Sequence, residues 1–227
     1  MKTAVILLII ISVTSFSTVL VSDDFNDGNA DGWIEMPTGA LYTVESGRYC
    51  FYQTSSDSAF AASLISDNPG SMSVPDYSCR INASNSDGDI VGMLARANPF
   101  LNQGYAMFAD FSENMIILLK VVGVGQGELL AAQAYTLTIE QEYWMRFELN
   151  GNLLGAKIWT GTAGDEPVLW NLSATDTSYP DPGMFALIGY DDDSTAVIDV
   201  SFDDIEITDE ITLELQSDSW ASIKCLF

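Results

Sequence analysis

From Asp24 to about Thr208 the chain runs in short segments whose apolar residues recur at every second position, each segment closing on Gly, Asn, Asp or Ser. Successive side chains of a strand point to opposite faces, so this alternation marks strands with one buried face. No stretch carries the spacing of an amphipathic helix. The strands expected are Leu41–Val44, Arg48–Gln53, Phe60–Leu64, Tyr77–Ala83, Ile90–Ala97, Tyr105–Phe111, Met115–Val122, Leu129–Ala134, Tyr143–Leu149, Leu153–Trp159, Met184–Tyr190, Val197–Phe202 and Ile205–Thr208. Many short strands at such spacing fold as an antiparallel sandwich or barrel. The expected class is all-β: one domain over 23–208, then a short tail over 209–227.

One hairpin can be read in register. Asn150-Gly151 is a favoured dipeptide in two-residue turns, where both central residues take positive φ. A turn centred there sets Leu149 opposite Asn152, Phe147 opposite Leu154, Met145 opposite Ala156 and Tyr143 opposite Ile158, a core face. The other face then presents Glu142 opposite Trp159, Trp144 opposite Lys157, and Arg146 opposite Gly155. Near the end of the domain, Ile198, Val200 and Phe202 share one parity while Ile205 and Ile207 share the other. A β-bulge at Asp203-Asp204 keeps all five on one face.

Charge narrows the functions. Against 32 Asp+Glu stand 8 Lys+Arg, no histidine and a formal net charge of −24. Such a charge repels phosphate backbones, which argues against nucleic acid as a partner. Without histidine there is no Ser-His-Asp or Cys-His machinery and no imidazole-bound metal. Carboxylate chemistry, calcium held by oxygen, or binding alone remain. The 48% apolar fraction belongs to a folded chain rather than an acidic disordered one.

Lys2, the greasy run Ala4–Ile11 and small residues near Ser17 or Ser22 read as a secretory signal peptide, taken here as residues 1–22. No later stretch is long and apolar enough to span a bilayer. The expected location is extracellular, at the cell surface or in the periplasm. Cys50 and Cys79 sit in strand-like segments; a disulfide between them and two reduced core thiols are both open. Cys225 has no obvious partner. In the tail, Ser217-Asp218-Ser219 could cap a short turn carrying Trp220, Ile223 and Phe227, and a frayed terminus is equally open.

Several segments together resemble the concanavalin A-like lectin/glucanase superfamily, in particular laminin-G-like domains of secreted bacterial proteins. They are the opening Asp24-Phe25-Asn26-Asp27-Gly28…Asp31-Gly32-Trp33, the hairpin Tyr143–Phe147…Gly151…Ala156–Trp159, Glu166-Pro167…Trp170, and the closing Gly183–Gly189 with Val200–Ile205. The resemblance implies a two-sheet jelly-roll sandwich. Its relatives include lectins, adhesion modules and glycoside hydrolases, so the fold leaves function undecided. The laminarinase-like hydrolases carry Glu-x-Asp-x-x-Glu on one strand, which sets two carboxyl groups about 5 Å apart across the scissile bond. Asp199…Asp203-Asp204…Glu206 lacks that spacing, which argues against an enzyme of that type.

Two constellations stand out as candidate sites. Glu142, Trp144, Arg146, Lys157 and Trp159 share the outward face of the hairpin. Flat rings beside charged hydrogen-bonding groups suit a sugar, while packing, with Trp144 beside Lys157 as a cation–π pair, explains the same residues. Asp24, Asn26 and Asp204 are candidate calcium ligands if the opening and closing acidic clusters meet; solvated loop acid is the plain alternative. Gly123–Gly127 is followed by no helix and reads as a hairpin loop rather than a phosphate cradle. The expected function is a secreted, non-catalytic module binding carbohydrate or an extracellular protein. A divergent glycoside hydrolase and a structural module of a surface assembly are the alternatives.

Overall fold

The structure, a computed structural model, describes residues 17–213 apart from 124, 192 and 194. Among the described residues, fifteen strands make two antiparallel sheets: β1 Val19–Asp23, β2 Ile34–Glu35, β3 Leu41–Glu45, β4 Arg48–Thr54, β5 Ala59–Ile65, β6 Tyr77–Asp87, β7 Ile90–Asn98, β8 Gln103–Asp110, β9 Met115–Gly123, β10 Gln126–Ala134, β11 Glu142–Asn150, β12 Leu153–Trp159, β13 Leu172–Thr175, β14 Met184–Asp191 and β15 Val197–Thr208. The first sheet runs β13-β12-β11-β6-β15-β4-β3, with β1 also on β15; the second runs β10-β9-β8-β7-β14-β5-β2. One 3-10 turn, Ala163–Asp165, is the sole helical element among the described residues.

Alternation fixes which side chains meet between the sheets. Tyr143, Met145, Phe147 and Leu149 of β11 face Met93, Met107, Leu118 and Leu187 of the second sheet within one buried cluster. Close-packed aliphatic and aromatic side chains of this kind supply the main favourable term in folding. The strands β1, β2 and β13 escape the sequence reading. Val19–Ser22 of β1 fall within the expected leader, β2 has two residues, and Leu-Ser-Ala-Thr of β13 carries little apolar signal.

The hairpin keeps its faces but not its register. Asn150 pairs with Leu153, Leu149 with Leu154, Phe147 with Ala156, Met145 with Ile158 and Trp144 with Trp159. The turn has therefore slid by one residue and its two central positions are Gly151-Asn152. Gly151 takes φ 57° and Asn152 does not turn positive, the φ pattern of a turn with glycine first. Tertiary contacts hold it there. Asp76 Oδ1 accepts the Gly151 N–H at 2.8 Å, Arg96 donates to its carbonyl at 2.9 Å, and the Asn150 amide donates to Leu213 O at 2.8 Å.

The bulge in β15 is present: Asp203 pairs with Asn82 and Glu206 with Arg80, three residues against two, with Asp204 at φ 48°. The disulfide is not. Cys79 lies in the core, whereas Cys50 alternates with the core residues Tyr49 and Phe51 and faces outward. The two sit on β6 and β4, on opposite sides of β15. Strands are about 4.8 Å apart, so thiols two strands apart on opposite faces cannot bridge. Both are free, and burial pushes both thiols above their usual pKa. Cys225 and the Trp220–Phe227 tail lie outside the described residues.

Candidate functional site

The structure brings most of the predicted hairpin residues together, then covers them. Trp144 and Trp159 stack at 6.3 Å with an interplanar angle of 17°. They are 8% and 5% exposed, and each indole N–H donates into the 160s loop, to Gly161 O and Thr162 O. Arg146 pairs directly with Lys157, and both reach Glu166, at 3.2 and 2.8 Å. Burial would raise the Glu166 carboxyl, but Lys157 and Arg146 hold it below the usual range. The cation–π partner of Lys157 is Trp170, at 4.4 Å, rather than Trp144, which lies under Arg80 at 5.8 Å. Glu142 stands apart, exposed and 3.5 Å from Arg48.

The covering has two sources, one next to the hairpin in sequence and one remote. Glu166 and Trp170 come from the loop between β12 and β13. The other is the segment after β15, where Glu148, 0% exposed, accepts the backbone N–H groups of Thr212 and Leu213 and the Thr212 hydroxyl. Gly155 leaves room for both, since a Cβ there would lie 2.8 Å from Trp170 and 3.0 Å from Leu213. Of the two readings of this face, the described residues show the packed one: a closed, salt-bridged layer on the first sheet.

The calcium candidates are exposed and divided between two elements. Asp24 and Asn26 lie in the turn after β1, where the Asn26 side chain and N–H keep the Asp24 carboxyl low. Asp204 occupies the β15 bulge. Asp23 pairs with Ile205, which sets the two acidic stretches on neighbouring strands; the Asp203 carboxyl is raised by burial first and in part by the Asp24 charge, and Arg48 stands 3.7 Å away. A tighter group lies elsewhere. Asp89, Asp191 and Asp193 bring carboxylate oxygens within 4.8 Å of one another at the far end of the second sheet. Asp191, 5% exposed, also accepts the N–H groups of Asp193 and Val197.

A cleft of about 880 Å³ opens on the outer face of the second sheet. Its floor is apolar: Leu64, Ala97 and Met184 form a small buried cluster with Met36 packed beside it. One wall is the β7–β8 loop. There the Asn98 carboxamide oxygen accepts the N–H groups of Phe100 and Leu101, and the turn holds Phe100 out with 93% of its surface exposed. The opposite wall is Tyr179-Pro180-Asp181-Pro182-Gly183, whose two prolines fix the backbone. Gly183 is required by close approach, because a Cβ there would stand 2.4 Å from the Arg96 carbonyl carbon.

Arg96 is the cleft's cationic residue, and its charge is already engaged. Buried with φ 46°, it donates to Pro75 O, Tyr179 O, Asp76 Oδ1 and Gly151 O at 2.8–2.9 Å. That uses four of the five guanidinium N–H groups. The polar groups of the lining include the Gln103 amide, the Asp181 carboxylate and the Ser178 hydroxyl, whose oxygen accepts from Lys120 at 3.4 Å. Sequence reasoning missed this site because its residues come from four separated segments. The signals available were the turn-rich runs Asn98-Pro99-Phe100-Leu101-Asn102 and Pro180-Asp181-Pro182-Gly183.

No protein-family model matches the chain, and no curated protein does. Solved structures do. The carbohydrate binding module CBM66 from Bacillus subtilis is 17% identical, with a TM-score of 0.59, covering 78% of this chain and 94% of its own. The VIP36 exoplasmic/lumenal domain in its Ca2+/Man3GlcNAc-bound form is 11% identical, with a TM-score of 0.61, covering 90% and 94%. SCLam, a non-specific endo-β-1,3(4)-glucanase of family GH16, is 8% identical, with a TM-score of 0.59, covering 87% and 93%. All three are concanavalin A-like jelly rolls. At such identities the likeness establishes the fold of this chain and leaves its ligand to be argued from its own residues.

Proposed function

We propose that this protein is an exported carbohydrate-binding module that takes a neutral sugar chain in the cleft of the second sheet. The observation that carries the reading is the apolar cleft with Phe100 exposed at its rim. A sugar's C–H face stacks on such a ring, while Gln103, Asp181 and Ser178 can bond its hydroxyls. The engaged guanidinium of Arg96 and the chain's charge of −24 disfavour uronic or sulfated sugars. Named relatives of the fold, a lectin solved with a mannose-containing glycan and a carbohydrate binding module, support the class of ligand. Catalysis is disfavoured by the outward side chains of the central strands, which are mainly apolar (Leu94, Ala106, Phe108, Ala186 and Ile188), with Asp110 a single carboxylate at the end of β8.

A glycan array probed with the wild-type chain and with Phe100→Ala tests the site. Neutral glycans should bind the wild type, and the variant should lose at least about tenfold, as removal of one stacking platform predicts. Binding of acidic glycans alone, or an unchanged variant, would sink the reading. A calcium ion, if the module takes one as the VIP36 domain does, is assigned to Asp89, Asp191 and Asp193. A melting temperature raised by calcium in the wild type and unmoved in Asp191→Asn would support that assignment.

A further inference from the structure

The expected leader runs to Ser22, yet residues 19–23 are a strand of the first sheet. Val19 pairs with Thr208, Val21 with Ile207, Ser22 with Glu206 and Asp23 with Ile205. Leu20 and Val21 pack against the main core. The ladder extends one residue further back, where the Asp209 N–H donates to Thr18 O at 3.1 Å and the Thr18 N–H donates to Asp209 Oδ1. Ser17, one residue before, is exposed. A cut after Ser22 would remove the strand that covers the second half of β15, leaving a row of unpaired backbone groups at a sheet edge.

We propose that the chain is processed between Ser17 and Thr18. Sequence chemistry agrees with the structure at this bond. Leader peptidases read small side chains at the last residue of the leader and two residues earlier. Ser15-Phe16-Ser17 meets that rule, whereas Leu20-Val21-Ser22 places leucine at the earlier position. The leader left by this cut is Met1–Ser17, with Lys2 ahead of the apolar run. Water adds across the Ser17–Thr18 amide: its hydroxyl goes to the Ser17 carbonyl carbon and its hydrogen to the Thr18 nitrogen. At neutral pH the proton of the new acid ends on the new amine. The Thr18 ammonium then sits on the Asp209 carboxylate that already holds this nitrogen, turning a hydrogen bond from a neutral amide into an ion pair.

The test is the N-terminus of the product, independent of any sugar binding. The full-length chain is expressed in an exporting bacterial host, and the material recovered outside the cytoplasm is read by intact mass and N-terminal sequencing. The expected sequence is Thr-Val-Leu-Val-Ser. Ser17→Leu should abolish or displace that terminus, and Ser22→Leu should leave it unchanged. A product beginning at Asp23, a product retaining Met1, or a Thr18 terminus that persists in Ser17→Leu would each overturn the proposal.

Discussion

Asp176 shows how a single residue can join the walls of the cleft to the sandwich. Burial alone would raise its carboxyl. Hydrogen bonds from the Tyr105 hydroxyl and from Ser178, with Lys120 at 3.5 Å, outweigh burial and hold it at about 2. Tyr105, its phenol pushed up to about 12 chiefly by burial, remains a protonated donor throughout. A carboxyl lowered by folding stabilises the native state above its unfolded pKa of about 3.9, and the contribution is lost as pH falls through its folded value. Asp176→Asn is therefore expected to cost about 2 kcal/mol at pH 7. The gap between the two urea midpoints should close between pH 4 and about 2; a pH-independent gap would contradict this. At the same scale, the free thiols were partly legible: Cys50 breaks the parity of Tyr49 and Phe51, so alternation alone could have placed it on the outer face.

Among elements, the segment after β15 is the one whose role no local pattern announces. Thr212 and Leu213 lie across β11, fastened to the buried Glu148, with Arg146 Nη2 3.2 Å from the same carboxylate. Removing the charge of a buried, paired group strands its partner, so Glu148→Gln is expected to destabilise the protein by about 3 kcal/mol. Amide exchange at Thr212 and Leu213 should accelerate ahead of the sheet. Unchanged protection there would show that the segment is held by Leu213 packing alone. The β11–β12 hairpin gives the complementary lesson. Its faces followed from alternation, which a slide of the turn by one residue leaves intact because every pair shifts by two. The register itself was set by Asp76, Arg96 and Leu213, none of them local.

For the whole molecule, the dominant quantity is the charge of −24. Self-repulsion of that size opposes compaction, and raising salt from about 10 to about 150 mM shortens the screening length from about 30 to about 8 Å. A melting temperature that rises by a few degrees over that range is expected; a fall would mean that the buried Arg146–Glu148–Glu166–Lys157 network dominates instead. The sequence alone determined the class, most strand positions, the core faces and the bulge at Asp203-Asp204, because each depends on alternation within a few residues. Only the tertiary structure decided that the Trp144–Trp159 face is closed, that Cys50 and Cys79 stay apart, that residues 19–23 belong to a sheet, and that a cleft forms under Phe100. Those outcomes depend on which distant segments come to lie over a given surface, and alternation, which reports only the side a residue faces, carries no information about what will cover it.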